Sequence, residues 1–179
     1  MASRQIVLLR GINIGPRNRI AMPDLRKVLT RAGFEDVRTY VQSGNVVLSS
    51  AAPPEQVARE CERQIAAAFG LDLPVVVRTR DELATVVARD PLADVATDPK
   101  RYQVTFLDAK PEAKVLRALE AAAVDQERLV ADGREIYAWH PHGVARSKLW
   151  ALLAGRSLGV TATSRNWTTV TKLLELADE

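Results

Sequence analysis

The chain has 179 residues, 47% of them apolar and 26% charged, with a mean hydropathy close to zero. A chain of this size buries roughly 70% of its unfolded surface, enough for a full hydrophobic core, and this balance excludes disordered, collagen-like and coiled-coil classes. The single cysteine excludes an internal disulfide framework and a cysteine-built zinc site. No apolar run approaches membrane-spanning length. The run at residues 6–9, flanked by Arg4 and Arg10, is too short for a signal-peptide core, so a cytoplasmic protein with no membrane partner is expected.

Residues 5–10 form a nearly continuous apolar run and read as a central strand. Pro23 opens a helix that Gly33 stops. Residues 37–42 and 45–49 are strand-like, joined through Ser43-Gly44 as a tight hairpin. Pro53-Pro54 opens a second helix, ended by Gly70, and residues 74–78 carry the β-branched run Val75-Val76-Val77. A linking helix is expected at residues 81–89. Asp90-Pro91 and Asp98-Pro99 then bracket a turn-rich linker.

The order then repeats. Residues 101–107 read as a strand, and Pro111 opens a helix. Residues 127–131 and 134–139 flank Asp132-Gly133, a hairpin signal. A helix follows from Ser147, a strand at 159–163 and a last amphipathic helix from about residue 168. The expected class is α+β, with two ferredoxin-like βαββαβ subdomains in tandem. The first spans residues 1–80, the linking helix and linker 81–100, and the second, with its C-terminal helix, 101–179.

Charge is informative by position rather than in total, since 25 basic residues against 22 acidic leave only +3. Residues 1–80 hold 12 bases and 7 acids, whereas 81–179 hold 13 and 15. Residues 1–23 and 136–174 contain no acid, and such one-signed stretches favour anionic partners.

In a βαββαβ unit the exit of the first strand lies beside the turn between the second and third. That places Arg10, Gly11, Asn13 and Gly15 beside Gln42, Ser43, Gly44 and Asn45. Glycines let backbone amides approach an anion, while Arg and Asn supply directed donors. The loop has neither the Walker nor the dinucleotide glycine spacing. At the opposite edge of the second unit, topology gathers Ser147 and Lys148 with Thr163, Arg165 and Asn166. There two helix starts with an exposed Arg165 are expected to face a phosphate or carboxylate.

Other residues read as structural. Cys61 shares a helix face with Val57, Ile65 and Phe69, as a core thiol does. His140 and His142 lack a third ligand nearby in sequence, and Ser147-Lys148 does not converge as a nucleophile–base pair. Trp167 is expected to anchor packing, as are Tyr137 and Trp139. No metal or cofactor is expected.

The strings LLRGINIG, TYVQSGNVVL, RSKL and TSRNWTTVTKL, in this order and spacing, closely resemble the bacterial family called domain of unknown function 1697. The resemblance covers nearly the whole chain and implies two ferredoxin-like subdomains. It carries over the same first-unit positions and adds Asn18 and Tyr40 to them, together with Ser147, Lys148, Thr163, Arg165, Asn166 and Trp167 in the second unit. This chain has Pro16-Arg17 where the family pattern usually has Gly followed by Lys or His.

Two functions fit these features. The leading one is a binding module for a phosphate-bearing ligand, a nucleotide-like molecule or nucleic acid. Stacking of bases is disfavoured, because the strands IVLLR and NVVLS carry no aromatic ring. The alternative is a metal-independent transferase or hydrolase using Arg10, Lys148 or Arg165 as electrostatic stabilisers. It lacks a base, since no carboxylate is expected in either cluster unless Glu35, Asp36 or Asp132 intrudes. A homodimer through exposed sheet edges is a third expectation.

Overall fold

In the computed structural model, which describes residues 1–179, strands and helices follow the order β1 (Ser3–Leu9), α1 (Met22–Arg31), β2 (Glu35–Tyr40), β3 (Asn45–Ser50), α2 (Pro54–Phe69), β4 (Val75–Thr79) and α3 (Arg80–Arg89). There follow β5 (Tyr102–Leu107), α4 (Ala113–Ala122), β6 (Arg128–Asp132), β7 (Glu135–Trp139), α5 (Lys148–Ala154), β8 (Ala162–Asn166) and α6 (Trp167–Asp178). The fold is α+β, with two antiparallel four-stranded sheets ordered β2-β3-β1-β4 and β6-β7-β5-β8. Both orders are those of a ferredoxin-like unit. The chain divides into two compact units, Met1–Ala84 with Leu173–Glu179, and Thr85–Lys172. No helix is long and apolar enough to cross a membrane.

Each sheet covers one face with its two crossover helices. In the first unit Val7, Leu9, Val46, Leu48, Val75 and Val77 meet Leu25 and Leu29 of α1 and Val57, Cys61 and Ile65 of α2. In the second, Leu107, Ile136, Ala138 and Ala162 meet Leu119 of α4 and Leu149 and Leu153 of α5. Strand alternation turns Ile6, Leu8, Val47 and Val76 to the other face of the first sheet, and they too are buried. The unbroken apolar runs of β1 and β4 therefore reflect burial on both faces. Each such side chain, fully buried, stabilises the fold by about 1.5–3 kcal/mol. Gly70 ends α2 in the left-handed conformation at φ 67°, its N–H donating to Ala66 O.

Strand boundaries shift by a residue or two from the sequence expectation in several places, and the displacements of the last strand and of β2 have clear causes. The last strand occupies Ala162–Asn166 rather than residues 159–163. Gly159 sits at φ 77°, and extended pairing begins only where Ala162 meets Leu107. β2 ends at Tyr40, two residues early, because Val41 turns into the left-handed region at φ 52°. Tyr137 and Trp139 are buried, the packing role expected of them. Trp167 stacks on Tyr102 with centroids 4.7 Å apart, the packing role expected of it.

Candidate functional site

The first-unit edge is assembled as the topology requires. Leu8 pairs with Asn45, Leu9 N–H donates to Gly44 O at 2.9 Å, and Arg10 N–H donates to Pro74 O at 3.1 Å. The β1–α1 loop therefore starts against both the β2–β3 turn and the entry to β4. Gly44, at φ 77°, lies so close to β1 that an added Cβ would stand 2.8 Å from Leu9 Cβ. Glycine is required there on both counts.

Asn13 joins the loop to the turn. Its Nδ2 donates to Ile20 O at 3.0 Å and to Gln42 O at 2.6 Å, while its Oδ1 accepts from Ile20 N–H at 2.9 Å. Asn13 stands at φ 53°, a conformation that Asn tolerates better than most residues. Asn18 donates to Gly11 O at 3.1 Å, and Asn45 Nδ2 donates to Tyr40 O at 3.2 Å. The amides of Asn13, Asn18 and Asn45 are thus engaged in shaping backbone rather than held out to a ligand.

What this bracing leaves outward is basic and polar. Arg17, Arg19, Gln42 and Ser43 are exposed and Arg10 is half-buried. Arg17 and Arg19 make no ion pair. Neither segment meeting here carries an acid, since none occurs in residues 1–23 or 37–54. Ile14 and Val41 add exposed apolar surface at the same edge.

The second-unit edge departs from expectation. Ser147 does cap α5, its Oγ accepting from Trp150 N–H at 3.0 Å, and Asn166 Oδ1 accepts from Thr169 N–H at 2.9 Å at the start of α6. Arg165, however, is 9% exposed, not the open donor expected. Its Nη1 donates to Thr163 Oγ1 at 2.6 Å and to Ser164 O at 2.9 Å. Alternation along β8 sends Ala162 towards α5 and Thr163 and Arg165 to the opposite face of the sheet. Burial pushes the Arg165 guanidinium down to about 10. The three-residue anion cradle of Ser147, Lys148 and Arg165 is therefore not formed. Thr163 is committed to Arg165, and Lys148 stands exposed at the start of α5.

A carboxylate, unexpected from the acid-free stretch, does reach Ser147. Glu127 Oε2 accepts from Ser147 Oγ at 2.6 Å and from His140 Nδ1 at 2.6 Å. His140 is fully buried, its ring set edge-on to Trp150, and its Nε2 has no hydrogen-bond partner. Burial alone would raise the Glu127 carboxyl. The bonds from Ser147 and His140 and the Val124 N–H outweigh it and hold the group below the ordinary glutamate range. Ser147 Oγ also lies 3.3 Å from His140 Nδ1, the same ring nitrogen that faces Glu127, so His140 does not stand as a base between Glu127 and Ser147.

Glu127 and Ser147 line a cleft of about 490 Å3 with Val124, Asp125, His142, Gly143, Ala145 and Arg146. Sequence reasoning missed Glu127, Asp125 and the role of His140. The signal was the hairpin register: Asp132 pairs with Glu135 and Arg128 with Trp139, so one further step sets Glu127 opposite His140.

No curated protein matches the chain in sequence. Among solved structures, it is similar to the conserved bacterial protein SP0830 from Streptococcus pneumoniae, with a TM-score of 0.79, 23% identity and 99% of each chain covered. That likeness shows the fold. A family model described as protein of unknown function (DUF1697) matches residues 2–137, so the chain belongs to this bacterial family.

Proposed function

We propose that the protein is a binding module for a phosphate-bearing ligand, a nucleotide-like molecule or nucleic acid, held at the first-unit edge. The observation that carries this reading is the Asn13 bridge. It draws two acid-free segments into one braced edge from which Arg17 and Arg19 stand free. A preformed edge binds without the cost of ordering a loop, and unpaired arginines match phosphate oxygens in geometry and charge. Gln42 and Ser43 are the neutral donors beside them.

Titrating the protein with inorganic pyrophosphate and with a single-stranded oligonucleotide, in EDTA, tests the reading. Binding that weakens in the Arg17→Ala, Arg19→Ala double variant is expected. Loss of affinity with salt that is steep and indifferent to base sequence assigns nucleic acid rather than a small ligand. Absence of binding to both probes, or binding that the double variant leaves intact, overturns it.

The alternative, a metal-independent transferase or hydrolase, gains one observation: the Glu127–Ser147 contact supplies a carboxylate not expected from the sequence. A carboxylate held below its ordinary range is a weak base, and Ser147 is already engaged as a helix cap, so binding is the better reading.

A further inference from the structure

We infer that the cleft of the second unit is a separate binding site for a small zwitterion, a molecule carrying an amine and a carboxylate on a short chain. The cleft, about 490 Å3, falls in the size range of small-molecule pockets. Its walls come from two connections, residues 124–127 between α4 and β6 and residues 142–147 between β7 and α5. Each wall carries one exposed charge of opposite sign, Asp125 on the first and Arg146 on the second. Neither makes an ion pair, with each other or with any other side chain.

Two opposite charges that line one cleft and stay unpaired define a ligand bearing both complements. The guanidinium suits a carboxylate, which it can hold through two parallel N–H bonds, and Asp125 suits an ammonium. Glu127 sharpens the choice. It lines the same cleft as a carboxylate, with Oε2 engaged by Ser147 and His140 and Oε1 by the Val124 N–H. Its charge adds negative potential that favours a ligand amine and opposes a multiply charged phosphate. His142 is the remaining titratable group of the lining.

Asp125 and Gln126 are both held at positive φ, 51° and 69°, two successive residues other than glycine in a sparsely populated region. The turn is closed by the Glu127 N–H donating to Val124 O at 2.9 Å, so Glu127 fixes the segment that presents Asp125. The site is therefore preset.

The experiment uses the whole chain and measures dissociation constants for glycine, β-alanine and γ-aminobutyrate beside the amine-only and carboxylate-only compounds of the same length. The series is needed because the chain length that spans the two charges selects the best zwitterion. At least one zwitterion should bind about tenfold or more tightly than either singly charged counterpart. Asp125→Asn, which suits the left-handed backbone, should remove the advantage over the carboxylate. Arg146→Gln should remove the advantage over the amine. Both variants should keep the parent melting temperature, because the two side chains are exposed and unpaired. Equal affinities for all three classes, no binding at all, or variants that bind the zwitterion as the parent does would each overturn the assignment.

Discussion

The two units share a sheet topology, and their candidate edges, which lie at opposite ends of that topology, use their polar residues in opposite ways. In the first unit the amides are turned inward to brace backbone, and the arginines are left facing out with no acid in either joined segment. In the second unit an arginine is turned inward and an acid is brought up beside the helix cap. A stretch of sequence without acids therefore does not by itself fix the charge around it once the chain has folded. A neighbouring connection can deliver the missing carboxylate.

The sharpest way to break this contrast is to remove the delivered carboxylate. Glu127→Ala takes from the buried His140 Nδ1 and the Ser147 hydroxyl their shared carboxylate, leaving them only their 3.3 Å contact with each other, and the loss of two hydrogen bonds to a charged group is expected to lower stability by about 3–5 kcal/mol, read by calorimetry. Glu127→Gln should cost less and add a pH signature. The folded state favours the ionised form, so the Glu127 contribution is complete at neutral pH and is lost as pH falls through and below the glutamate range. The Gln variant should accordingly show a shallower acid limb than the parent.

Asn13→Ala attacks the other edge. It removes three hydrogen bonds and places alanine at φ 53°, for an expected loss of about 2–4 kcal/mol. Amide exchange at Ile20, whose N–H bonds Asn13, should accelerate in step. If exchange stays slow, the loop is held by something other than this side chain.

Arg165→Ala should lower stability by roughly 2 kcal/mol through lost packing and lost bonds to Thr163 and Ser164. Binding of pyrophosphate to the intact first-unit edge should not change. A variant of parental stability would show that these contacts of Arg165 do not brace the sheet.

Smallest for the fold, and largest for binding, are Arg17→Ala and Arg19→Ala. Each should alter stability by less than about 0.5 kcal/mol. If the ligand is nucleic acid, each should reduce the slope of log affinity against log salt by about 0.7–0.9.

The elements and both sheet orders were legible because the local signals agreed: prolines at helix starts, glycines at helix ends, a β-branched run at β4 and Asp-Gly at the second hairpin. The shift of β8 was not legible, since β-branched and small residues run from 160 to 164 and only pairing with β5 fixes the register. Of the candidate site, the meeting of the β1–α1 loop with the β2–β3 turn followed from topology alone. Whether each amide faces a ligand or its own backbone depends on turns at positive φ, such as Asn13 and Asn18, which sequence only weakly marks. Glu127 was legible in principle. Counting the hairpin register outward from Asp132-Gly133 sets it opposite His140, and only the link from that pair to Ser147 requires the three-dimensional path of the chain.

The close approach of Gly44 to β1 bears on how this surface can diversify. With an added Cβ meeting Leu9 at 2.8 Å and Ile12 at 3.0 Å, the contour of the edge is locked by the fit of the bare Gly44 backbone against those two side chains. Val41, Gln42 and Ser43, immediately before it, are all exposed. Related chains that keep this glycine can therefore exchange the chemical character of the rim one residue at a time while inheriting its shape unchanged. Selectivity at such an edge evolves by repainting a fixed relief, and altering the relief itself requires a different loop length.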